Sequence, residues 1–189
     1  AYYEIRYSQD SPNSILNFPG MKQRTVILYT FSKKYAMTGW RIGASIGPES
    51  LIKHMARFNI NDESCTNHFI QHALASVLND SSDYGKKIIK KLIKRRDLCL
   101  NKLNSIDELD IATPESTFYL FPNVSKIMYK KGYDNLEKFR VDALKNTGVS
   151  FCTREHFGTS FSNEKEKYIR FAYSGITRKN ISEGLDKFI

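Results

Sequence analysis

The chain has 189 residues, a hydrophobic fraction of 41% that includes 12 Phe and 11 Tyr, and a formal net charge of +9. That apolar content is ample for a packed core, and the length allows one large domain or one domain with part of another. No apolar run approaches the roughly 18 residues of a membrane span, and Ala1-Tyr2-Tyr3-Glu4-Ile5 lacks the basic-then-apolar pattern of a signal peptide.

The sequence opens inside an aromatic stretch without an initiator Met, as expected for the middle of a longer chain. Residues 25–31, Thr-Val-Ile-Leu-Tyr-Thr-Phe, form a continuous β-rich apolar run, which predicts a strand buried on both faces. Ile42 to Ile46 is a second short strand, ended by Gly47-Pro48. Glu49 to Phe58 reads as a helix, with Pro48 and Glu49 suited to its start. Thr66 to Leu78 reads as another, with Phe69, Ile70, Ala73, Leu74, Val77 and Leu78 on one side.

A long basic helix is predicted from Ser82 to Leu103. Tyr84, Ile88, Leu92, Cys99 and Leu103 recur at helical spacing, Ile89, Ile93 and Leu100 widen the stripe, and lysines fill the opposite face. Such a helix is ordinarily packed inside and solvated outside. A polyanion-binding surface is the sharper alternative for the same charge. Further on, strand-like segments at 117–121, 149–152 and 168–173 alternate with helical ones at 135–146 and 177–188. The fold class is therefore α/β, with a smaller α/β domain following the long helix. The three cysteines, Cys65, Cys99 and Cys152, are scattered and lack metal-ligand spacing. They read as buried free thiols of a cytoplasmic protein, and no metal is expected.

The chemistry concentrates in Ser32-Lys33-Lys34-Tyr35-Ala36-Met37-Thr38-Gly39-Trp40-Arg41-Ile42-Gly43, which follows the apolar strand directly. A lysine at a desolvated strand mouth loses part of its proton affinity and becomes a usable amine nucleophile. An arginine eight residues on can fork onto phosphate oxygens. Thr30, Ser32 and Thr38 add hydroxyls. A reactive amine beside a phosphate clamp is what a phosphorylated aldehyde requires. Read by spacing alone, the plainer reading is favoured, in which Lys33 and Lys34 are surface lysines of a loop and Arg41 caps a sheet edge.

This segment resembles, almost residue for residue, the cofactor-lysine signature of class I/II aminotransferases, the fold-type-I superfamily of aspartate aminotransferase that depends on pyridoxal 5'-phosphate. The resemblance implies that Lys33, and not Lys34, bonds to the cofactor, and that Arg41 grips its phosphate with Ser32 and Thr30 nearby. Ala1-Tyr2-Tyr3-Glu4-Ile5 is similar to the residues after the family's Asp-Glu, which makes Tyr2 the tyrosine that hydrogen-bonds the cofactor's ring oxygen. Pro114-Glu115-Ser116-Thr117-Phe118-Tyr119 resembles the entry to the family's small domain, with Ser116 in place of the usual Gly. Tyr168-Ile169-Arg170-Phe171-Ala172-Tyr173-Ser174 resembles the terminal segment whose arginine binds the substrate α-carboxylate, a role that falls to Arg170. His54, His68, His72 and His156 match no family position and read as structural or surface residues.

The resemblance covers the chain but only about the second half of a typical member. It implies that residues 1–81 are the C-terminal part of the large cofactor-binding domain, 82–103 a connecting helix, and 104–189 the small C-terminal α/β domain. The family's aspartate for the pyridine nitrogen would fall two residues before Ala1. The chain by itself is therefore expected to be inactive, and its open sheet edges to favour association. The implied activity is amino-group transfer between an L-amino acid and a 2-oxo acid by a homodimer, with no membrane or nucleic-acid partner. A pyridoxal-phosphate-dependent C–S lyase, or a non-catalytic basic polyanion-binding module, are the competing readings.

Overall fold

The structure, a computed structural model, describes residues 1–8 and 14–188. The described chain divides into two compact units, residues 1–88 and 89–189.

In the first unit, β1 (Ile27–Thr30) pairs antiparallel with β2 (Gly43–Ile46), in a register that sets Ile27 opposite Ile46 and Thr30 opposite Gly43. Gly43 is required by close approach: a Cβ there would lie 2.7 Å from the Tyr29 carbonyl oxygen. Pairing Thr30 with Gly43 closes residues 31–42 into a loop held at both ends by the ladder. Helix α1 (Glu49–Asp62) starts at Pro48, with Glu49 in its first turn where the helix dipole favours negative charge. Helix α2 (His68–Asn79) follows. Its Leu74 and Ile70 pack on Phe31 and Ile42, which form the small core of this unit.

One expectation fails here. The run at 25–31 was predicted to be buried on both faces, yet Leu28 is 77% exposed. The sheet around it has only two strands among the described residues, and the face bearing Leu28 is left uncovered. The cysteine expectation fails in part for the same kind of reason: Cys65 lies exposed between α1 and α2, whereas Cys99 is buried and Cys152 half-buried.

Helix α3 (Tyr84–Leu103) carries the boundary between the units. Leu92, Cys99, Leu100 and Leu103 are buried, while Lys86, Lys87, Lys90, Lys91 and Lys94 are exposed. The basic stripe is thus the solvated face of an amphipathic helix.

The second unit contains a three-stranded antiparallel sheet of β3 (Tyr119–Leu120), β4 (Cys152–Thr153) and β5 (Ile169–Ala172), with β5 in the middle. Helices α4 (Ser125–Lys130), α5 (Leu136–Thr147) and α6 (Arg178–Phe188) complete it. Helix α5 begins where the Asn135 side chain accepts the Lys138 N–H at 2.8 Å and ends at Gly148, whose φ of 74° a side chain would disfavour. Leu103, Leu120, Val124, Ile169 and Tyr173 are almost wholly excluded from solvent. Phe151, Phe171 and Phe188 meet edge-to-face at 5.3 to 5.9 Å. The six-residue α4 has no counterpart in the sequence reading, because one and a half turns leave no measurable periodicity.

Candidate functional site

The loop between β1 and β2 is anchored on both sides of Lys33. Phe31 is buried just before it, and Tyr35 and Met37 pack against the same cluster just after it. Backbone hydrogen bonds tighten the turn: Tyr35 N–H to the Phe31 carbonyl at 3.2 Å, Ala36 N–H to Lys33 at 3.3 Å, and Met37 N–H to Ser32 at 2.9 Å. Two non-glycine residues of this loop, Ala36 (φ 52°) and Arg41 (φ 53°), occupy the left-handed region. Such conformations cost about 1–3 kcal/mol each and persist where the surroundings over-determine them, often at functional sites.

Within this frame the predicted residues fall as follows. Ser32 is buried, and its N–H donates to Thr30 Oγ1 at 3.3 Å, so the two hydroxyl residues share one corner of the loop. Lys33 is half-buried, and its Nζ sits 5.9 Å from the centre of the Tyr2 ring. The structure therefore brings Tyr2 and Lys33 together across 31 residues of sequence. Arg41 is exposed, and its Nη1 donates to the Thr38 carbonyl at 2.8 Å. Thr38 is also exposed.

Lys34 is placed differently from Lys33. Its amine donates to Glu4 at 2.6 Å, and the Tyr29 hydroxyl donates to the same carboxylate. Burial works against the charged Lys34 amine, but the hydrogen bond and charge of Glu4 outweigh it and raise its pKa. Burial, then the Glu4 contact, pushes the Tyr29 hydroxyl far up as well. Lys34 is thereby kept protonated and tied to the segment that carries Tyr2. The resemblance separates the two lysines by their distance from Arg41; in the structure Lys34 is paired with Glu4, and Lys33 lies over the Tyr2 ring. Sequence reasoning missed the Glu4–Tyr29–Lys34 group because its members lie 25 and 30 residues apart with no shared motif.

In the second unit, Arg170 sits on the central strand β5 opposite Cys152. Its neighbours Ile169 and Phe171 face the core, so the alternation of the strand turns Arg170 to the other side. The guanidinium lies between two aromatic rings, 4.3 Å from the centre of Tyr119 and 4.3 Å from that of Phe157. Nη2 approaches Cys152 Sγ at 3.8 Å. Nε is buried without a hydrogen-bond partner among the described residues. The two flanking rings fix the guanidinium plane, and a planar guanidinium is the matching partner for a carboxylate. Tyr119 was legible as part of the Phe-Tyr segment. Phe157, in a short 3-10 turn, carried no signal.

The four histidines lie exposed. No helix among the described residues is long and apolar enough to cross a membrane.

The chain matches the family Aminotransferase class I and II over residues 1–188, and so belongs to that family. It is 43% identical over 112 residues to an aspartate aminotransferase of Rhizobium meliloti (strain 1021), covering 59% of this chain and 27% of the relative. With an LL-diaminopimelate aminotransferase of Nitratidesulfovibrio vulgaris it shares 32% identity over 160 residues, covering 84% of this chain and 40% of that one. A crystal structure of the aspartate aminotransferase from Rhizobium meliloti superposes with a TM-score of 0.85 at 31% identity, covering 99% of this chain and 46% of that one. The chain thus spans less than half the length of the relatives it matches. Members of this family use pyridoxal phosphate. The α/β fold expected from sequence stands, and neither the C–S lyase nor the polyanion-binding module is favoured.

Proposed function

We propose that the whole protein containing this chain is a pyridoxal-phosphate-dependent aminotransferase that moves an amino group between an L-amino acid and a 2-oxo acid. The observation that carries the proposal is Lys33, set over the Tyr2 ring in an anchored loop while its neighbour Lys34 is held by Glu4.

The side chains present suit the cofactor. Lys33 offers an amine to an aldehyde, Arg41 an exposed guanidinium to a phosphate, and Thr30 and Ser32 a pair of hydroxyls where β1 enters the loop. Tyr2 offers a phenol beside the amine. The guanidinium of Arg170, flanked by Tyr119 and Phe157, offers the planar fork that the α-carboxylate of the substrate takes. When bound, the cofactor supplies an electron sink for the bond broken at the substrate α-carbon. Lys33 has two duties: it anchors the cofactor, and once displaced it carries the α-proton away from carbon and back. Arg170 fixes the substrate by its carboxylate, and the flanking Tyr119 and Phe157 rings hold the guanidinium plane.

On this reading residues 1–81 belong to the large cofactor-binding domain, 82–103 to a connecting helix and 104–189 to the small domain. The protein is a cytoplasmic homodimer. Relatives named for aspartate make that amino acid, with a 2-oxo acid acceptor, the first pair to assay. In the full-length protein Lys33→Ala abolishes turnover, measured by release of the 2-oxo acid; undiminished activity in that variant would overturn the assignment.

A further inference from the structure

The four histidines are not equivalent. His54 turns Nδ1 to the Ser50 carbonyl at 2.7 Å, and His156 Nδ1 accepts the Thr153 N–H at 3.1 Å and meets the Thr153 hydroxyl at 2.7 Å, so each is engaged by its own turn of chain. His68 and His72 instead face each other across one turn at the start of α2. Their rings meet edge-to-face with centres 4.6 Å apart, and their Nε2 atoms are 3.3 Å apart.

That last distance, a hydrogen bond as the side chains stand, is also the bite of a chelating pair. Two imidazole nitrogens bound to one ion at roughly 2.0–2.1 Å, at a tetrahedral angle, lie about 3.3–3.4 Å from each other. The i,i+4 spacing is what lets a helix present two imidazoles on one face at that separation. Both rings are exposed, so an incoming ion pays no cost of opening the fold. From these observations we infer that His68 and His72 form a two-nitrogen site for a divalent transition cation with tetrahedral preference, of which Zn²⁺ is the type.

As the side chains stand, one Nε2 donates a proton to the other across the gap. Binding needs both Nε2 lone pairs, so the donating ring carries its proton on Nδ1 instead, and the ion takes the place of the shared proton. No third His, Cys, Asp or Glu joins the pair among the described residues. Water completes the coordination, which makes the site exchangeable and not a structural closure like a four-ligand zinc centre. Binding to the folded chain alone also raises its apparent stability by mass action. Nothing in this inference depends on the aminotransferase reading, because it concerns a surface of α2 and not the Lys33 loop.

The test is calorimetric titration of the protein with zinc chloride, comparing His68→Ala, His72→Ala, His54→Ala and Cys65→Ser. One ion per chain is expected, with affinity reduced by about tenfold or more in either of the first two variants, because a chelate becomes a single ligand. His54→Ala and Cys65→Ser are expected to bind as the unsubstituted protein does. Because all four side chains are exposed, folding is not at risk in any variant. Absence of zinc binding, or binding that survives His68→Ala and His72→Ala, would overturn the inference, as would a loss confined to Cys65→Ser.

Discussion

The two units of this chain bury their apolar residues to very different degrees. Among the described residues, the unit spanning 1–88 contributes four hydrophobic side chains to the buried core, Ile5, Phe31, Ile42 and Leu74, whereas the unit spanning 89–189 contributes seventeen. The first unit also leaves Leu28, Phe58, Ile60 and Phe69 between 68 and 77% exposed. Hydrophobic burial scales with apolar area removed from water, so the second unit has the larger share of cohesion of its own. In the first, three of the four, Phe31, Ile42 and Leu74, pack together beside the loop that carries Lys33. The difference teaches where the chain's stability resides and where its proposed chemistry resides: a well-filled small unit, and a thinly filled one built around a single anchored turn.

The comparison can be broken most forcefully in the filled unit. Leu103 has no exposed surface, and Leu103→Ala is expected to cost about 2–5 kcal/mol in chemical denaturation, the range for a cavity that cannot collapse. A cost below about 1 kcal/mol would mean the core around α3 is looser than its burial indicates. Next in size is Arg170→Ala in the full-length protein. On the proposed role, losing a charge-assisted contact to a carboxylate, worth about 1.5–3 kcal/mol, should raise KM by roughly ten- to a hundredfold.

Cys99 sharpens the contrast through pH. Burial pushes its thiol from the ordinary 9.0 to about 11, so the folded chain keeps the proton that the unfolded chain loses. Stability from this group is therefore full below pH 9.0 and falls as pH rises towards about 11. The stability advantage of the unsubstituted protein over Cys99→Ala should shrink across that window in paired denaturation curves. At neutral pH a thiol reagent should modify exposed Cys65 first and Cys99 last. The smallest effect is expected in the thinly filled unit. Phe58, 75% exposed, should tolerate Phe58→Ser within about 0.5 kcal/mol. A larger loss would mean that another copy of the chain covers it.

What the sequence revealed divides along similar lines. The Lys33 segment was readable because its residues are contiguous and its chemistry is local. The amphipathic face of α3 was readable because twenty residues give the helical period room to show. Arg170 by itself reads as an ordinary edge-strand arginine; its place between Tyr119 and Phe157 depends on three segments meeting, which no local pattern encodes. The exposure of Leu28 was invisible for a related reason. Its apolar run announces what the strand can bury, and the two-stranded sheet determines what it does bury here.

The central claim is that Lys33, and not the adjacent Lys34, carries the cofactor. The direct test is to load the full-length protein with pyridoxal phosphate, reduce with borohydride and identify the modified peptide by mass spectrometry. The account predicts one adduct, on Lys33, with Lys34 untouched because Glu4 keeps its amine charged and occupied. An adduct on Lys34, or labels spread over the exposed lysines of α3, would contradict it.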